Sequence, residues 1–128
     1  MGYADRDYYR QGMQRPPSRL AGAPVVKWLL IINAVVFLLT LFGRGSDPPT
    51  DSALDRLGWF SIAEGLQQFQ LWRLFTFQFL HADFLHILFN MYALYMFGPI
   101  LEQWWRSRPF LLFYLLSGIA GALFFVLI

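Results

Sequence analysis

Three long apolar runs divide this chain, each of a length that suits a membrane-crossing helix. They are "VVKWLLIINAVVFLLTLFG" (residues 25–43), "FLHILFNMYALYMFGPIL" (84–101) and "FLLFYLLSGIAGALFFVLI" (110–128). At about 1.5 Å of rise per residue, roughly 20 residues span the hydrocarbon core of a bilayer. Residues 44–83, between the first two runs, open as a polar, turn-rich stretch around Pro48-Pro49. They then mix Leu57, Trp59, Phe60, Ile62, Leu66, Phe69, Leu71 and Trp72 with Glu64, Gln67, Gln68 and Arg73. That texture predicts a loop lying in the membrane interface rather than crossing it. Residues 1–24 are polar and basic and carry Pro16, Pro17 and Pro24, which predicts a disordered tail. The expected fold is an all-α polytopic membrane bundle: a tail over 1–24 and a membrane domain over 25–128.

Local signals mark the helix ends. Asp83 is placed to cap the second helix, and Ser107-Arg108-Pro109 reads as the cap and first turn of the third. Gly98-Pro99 should kink or end the second helix. Ser117/Gly121 and Gly118/Ala122 are small-xxx-small pairs that let another helix approach closely, and Asn33 should hydrogen-bond to a neighbouring helix.

Composition agrees with a membrane protein: 57% of the 128 residues are hydrophobic and 14% are charged, too few to cover a soluble domain. The absence of cysteine excludes disulfides, thiolate catalysis and zinc–thiolate sites. The net charge of +2 says little, but its placement says more. Arg6, Arg10, Arg15, Arg19 and Lys27 lie in or beside the tail, and Arg106 and Arg108 in the short second loop. The long loop has Arg44, Arg56 and Arg73 against Asp47, Asp51, Asp55 and Glu64. By the positive-inside rule the N-terminus and second loop are cytoplasmic, and the start of the second helix faces outward. The expected partner is the lipid bilayer, not nucleic acid. Ile128 ends an apolar span with no polar or interfacial anchor, which suggests a fragment.

Candidate chemistry sits in "LHADFLHILFNMY", residues 80–92. His86 and Asn90 are four residues apart and share a helix face. Polar side chains in lipid are costly unless partnered or facing a water-filled cavity. Both can donate hydrogen bonds and could stabilise an oxyanion; equally, they could simply join helices. His81 falls upstream of the cap and reads as a loop-orienting residue. A metal site from His81, Asp83 and His86 matches no ligand framework, and a haem would need axial ligands on facing helices. No metal or organic cofactor is expected.

The block "WRLFTFQFLHADFLHILFNMYALYMFGPILE", residues 72–102, resembles the rhomboid family of intramembrane serine proteases. The carriers are Trp72-Arg73, His81 five residues before His86, Asn90 four after it, and the Gly98…Glu102 ending. The resemblance runs from the first span to the end of the chain. It implies a six-helix core, of which three helices are here, and a serine endopeptidase that cleaves transmembrane protein substrates. By the same resemblance His86 and Asn90 build the oxyanion hole, His81 supports the site, Trp72-Arg73 fix the first loop, and Glu102 anchors the cytoplasmic end of the second helix. The family's nucleophile lies in a G-x-S-G motif on a fourth helix and its base on a sixth. "LSGIAG" is not that motif, so Ser117 is assigned to helix packing and these 128 residues alone are expected to be inactive. The simple core and short tail suit a bacterial inner membrane. A catalytically inactive rhomboid-like binding protein and an unrelated small three-helix membrane protein are the alternatives.

Overall fold

The computed structural model describes residues 18–46, 49–50, 52–59 and 68–127. The expected disordered tail therefore falls mostly outside the described residues, as do Phe60, Ile62, Glu64, Leu66 and Gln67 of the loop. Among the described residues three helices are long and apolar enough to cross a membrane: α1 (Pro24–Gly43), α4 (Phe84–Trp105) and α5 (Ser107–Leu127). Buried residues make up only 22%, 17% and 11% of their spanning windows, so most of each helix is left to face lipid or further protein. Between α1 and α4 the chain makes a two-residue antiparallel ribbon, β1 (Gly45–Ser46) with β2 (Pro49–Thr50), then two short helices, α2 (Ala53–Gly58) and α3 (Arg73–Thr76). A 3-10 turn over Phe77–Phe79 follows. This is an all-α membrane protein whose loop is itself partly helical.

α4 begins at Phe84 because Asp83 caps it: the Asp83 carboxylate accepts from the His86 amide at 2.8 Å. Gly98-Pro99 does not end it, and the helix runs on to Trp105. The physical reason is tertiary. A Cβ at Gly98 would stand 2.8 Å from Val26 Cγ2, so glycine there lets α1 and α4 touch, and burial holds the helix together past the proline. Ala23, Val26, Leu29, Leu94 and Phe110 form the buried cluster where α1, α4 and α5 meet.

At that end, α1 starts with Pro24 in its first turn and no side-chain cap of its own. Its free amides are taken instead by Glu102 of α4, which is 2% exposed. One carboxylate oxygen accepts from Val25 N at 3.0 Å and the other from Val26 N at 2.9 Å. The Ser107 hydroxyl, at the start of α5, donates to the same carboxylate at 2.5 Å. One side chain thus ties the ends of all three long helices. Further along, buried Asn33 donates to Leu29 O at 2.7 Å in its own helix and to Tyr114 Oη of α5 at 3.4 Å.

Two substitutions test this packing in detergent unfolding titrations. Gly98→Ala should destabilise the fold by about 1–3 kcal/mol, because Val26 must give way. Glu102→Ala should cost about 2–3 kcal/mol by leaving buried amides without an acceptor, and Glu102→Gln less. Wild-type stability in either alanine variant would contradict the assigned contacts.

Candidate functional site

Three successive carbonyls, those of Leu57, Gly58 and Trp59, emerge from the C-terminal end of α2 and have no helical partner of their own. They are met in order by side chains of the next segment. Trp72 Nε1 donates to Leu57 O at 3.3 Å, Thr76 Oγ1 to Gly58 O at 3.0 Å, and Arg73 Nη1 to Trp59 O at 2.6 Å. Arg73 is 4% exposed and also donates from Nε to Gln70 Oε1 at 2.6 Å. The Trp72-Arg73 pair therefore closes the loop upon α2. The N-terminal end of α2 carries a reciprocal cap between Ser52 and Asp55. The "SALD" spelling of residues 52–55 could have revealed this cap from sequence. Arg44, just past α1, pairs with Asp55 at 3.0 Å and donates to Ala82 O at 3.3 Å, so it joins α1, α2 and the turn before α4. Burial pushes the Asp55 carboxyl up, but Arg44 and the Ser52 bonds outweigh it and hold the pKa below the usual carboxylate value.

Beside this loop, α4 and α5 line an open groove of about 820 Å³. His81, His86, Asn90, Gln78 and Ser117 line it with apolar side chains that include Trp59, Met91, Phe97 and Tyr114. His86 and Asn90 are both exposed, one turn apart on α4. His81 lies outside the helix, 2% exposed, with its ring edge-on to that of His86 at 5.2 Å between centroids. Its Nδ1 is buried and makes no hydrogen bond within the described residues. Burial lowers the His81 pKa, and the neighbouring His86 lowers it further, against a smaller opposing effect of the Phe79 backbone. Trp72 and Arg73 hold the loop near the groove rather than lining it, and Glu102 lies at the opposite end of α4. Among the described residues no group of three histidines or carboxylates is arranged to hold a metal ion.

Sequence reasoning missed Gln78. Its amide donates to Leu74 O at 3.0 Å and across to Leu115 O of α5 at 3.1 Å, while its Oε1 is buried without a partner among the described residues. The side chain rests on Gly118, where any Cβ would collide with it. The expected close approach at Gly118 is thus made by a glutamine from the 3-10 turn, whereas a Cβ at Gly121 would meet open space. Ser117 donates to Phe113 O of its own helix at 2.7 Å and otherwise faces the groove. A lone amide in the aromatic run "FTFQF" was the available signal.

Residues 68–128 match the family model for the rhomboid domain, a segment that carries every groove residue but Trp59. The chain belongs to the rhomboid family. Rhomboid-like protease 3 of Toxoplasma gondii is 31% identical over 98 residues, 77% of this chain and 37% of that protein. The putative rhomboid protease YdcA of Bacillus subtilis is 37% identical over 98 residues, 77% of this chain and 47% of its own length. A protein named Inactive RHOMBOID-like protein 8, from Arabidopsis thaliana, is 33% identical over 79 residues, 62% of this chain and 22% of that protein. The chain spans less than half the length of each of these relatives. No solved structure matches it significantly. Rhomboid membership removes the reading of an unrelated three-helix protein.

The His81 environment predicts a pH dependence. Its lowered pKa means that the unfolded chain binds more protons than the fold, so stability rises with pH. The contribution is complete above the unfolded-state imidazole value of about 6.5 and is lost as pH falls below it. Thermal unfolding followed from about pH 7.5 down to about pH 5 should show a loss of stability that His81→Gln reduces. An identical slope in that variant would contradict the assignment.

Proposed function

We propose that this rhomboid chain supplies the oxyanion-binding part of an intramembrane serine endopeptidase. The supporting observation is that His86 and Asn90, both hydrogen-bond donors, lie one turn apart on α4 and open into one groove. As a serine hydroxyl adds to a peptide carbonyl, negative charge gathers on the carbonyl oxygen. An imidazole N–H and an amide NH₂ meeting that oxygen favour the tetrahedral state over the planar one. The nucleophile and the histidine that takes its proton lie outside these 128 residues in this reading. His81 supports the His86 ring, the Trp72-Arg73 closure steadies the loop beside the groove, and Glu102 anchors the far end of the same helix. A substrate suited to a groove flanked by lipid-facing helices is a transmembrane segment of another protein. The Lys and Arg distribution supports an N-terminus in the cytoplasm and the His86 end of α4 toward the outer leaflet of a bacterial inner membrane.

The test uses the native-length gene product in membranes with a transmembrane reporter substrate. His86→Ala and Asn90→Ala should each lower kcat by about 10²–10³ while leaving thermal stability near wild type. Undiminished cleavage in both variants would remove the oxyanion role. The similarity to a protein named as an inactive rhomboid favours a second reading, a binding protein of the same fold. A native-length product that neither cleaves the reporter nor is labelled by a serine-directed fluorophosphonate would establish that one instead.

A further inference from the structure

The end of the bundle far from His86 carries a feature that neither catalysis nor packing uses. α4 and α5 are joined by a single residue, Arg106, with φ 67° and ψ 164°. That region is open to glycine and costly for any residue with a Cβ. A glycine would make the same turn without strain, yet an arginine stands there. Its carbonyl accepts from the Phe110 amide at 3.2 Å, a bond any residue would provide. What arginine adds is an exposed guanidinium.

Arg106 is not alone. Lys27 and Arg108 are also exposed, and none of the three side chains makes a hydrogen bond or ion pair among the described residues. The contacts of Glu102 bring them to one end, because its carboxylate holds Val25, Val26 and Ser107, the immediate neighbours of Lys27, Arg106 and Arg108. Glu102 is buried and its oxygens are already engaged, so it leaves the three cations uncompensated at the surface. At the other end, by contrast, Arg44 and Arg73 are turned onto protein acceptors. Trp28, 60% exposed, and Trp104, 79% exposed, flank the basic end where the apolar spans stop. Indoles favour that depth in a bilayer, where lipid phosphates also lie.

We propose that Lys27, Arg106 and Arg108 form a headgroup site for an acidic phospholipid. The guanidinium forks suit paired phosphodiester oxygens, and the lysine adds a point charge. A free phosphate ion would leave the flanking indoles without a role, whereas a lipid engages both. Each cation at an acidic membrane surface is worth about fivefold in binding.

The native-length gene product, reconstituted in nanodiscs of equal phosphatidylcholine and phosphatidylglycerol, is to be released into native mass spectrometry and its retained lipids counted. Wild type should retain phosphatidylglycerol preferentially. Lys27→Gln, Arg106→Gly and Arg108→Gln should each lower that preference about fivefold, and Arg106→Lys should keep most of it. Arg56→Gln, in the loop helix α2, should leave it unchanged. Arg106→Gly should at the same time raise the unfolding temperature by relieving the turn, which separates lost lipid from lost fold. Equal retention of the two lipids by wild type, or full preference in Arg106→Gly, would overturn the proposal.

Discussion

Three long helices in lipid have little hydrophobic reason to associate, since the lipid is as apolar as their side chains. The contact on which this bundle depends is polar. Glu102 gives both carboxylate oxygens to the free amides at the start of α1 and takes the hydroxyl of Ser107 at the start of α5. Val26 and Glu102 are buried there, so those helix-start amides would otherwise go without a partner. Gly98, one turn away on α4, then lets Val26 of α1 seat directly on the helix. Together they set how α1, α4 and α5 meet.

The other end is organised differently. There the loop is held by hydrogen bonds to backbone rather than by an apolar core. The carbonyls leaving α2 are taken by Trp72, Arg73 and Thr76, and Arg44 carries the connection on to the turn before Asp83. Gln78 then reaches across to α5 over Gly118. His86 and Asn90 lie toward this end of α4, exposed and lining the groove. We propose that this position leaves the donor pair available to a ligand.

Much of this was legible from local pattern. The three spans follow from their length and apolarity, and Asp83 as a cap follows from its place before Phe84, because such signals act within a few residues. His86 and Asn90 share a face by helical geometry alone. What was illegible depended on residues far apart in the chain. Gly98-Pro99 reads as a kink or a helix end, and the packing of Gly98 against Val26 is what lets α4 continue. The amide partners of Glu102 lie some 77 residues away, and Gln78 meets Leu115 from 37 residues off. No periodicity reports such pairings. The Ser52–Asp55 cap is a different case: its signature was local, and it was hidden inside a stretch read as one continuous interfacial loop.

In the proposed oxyanion hole His86 and Asn90 converge on one oxygen. The direct measurement is NMR of the native-length protein, with ¹⁵N in the histidine ring and the asparagine amide, before and after reaction with a serine-directed phosphonate. The account predicts that the His86 N–H and Asn90 NH₂ protons both move downfield as the adduct forms, because both donate to the phosphonyl oxygen. An adduct that leaves both resonances in place, or no adduct at all, would contradict it.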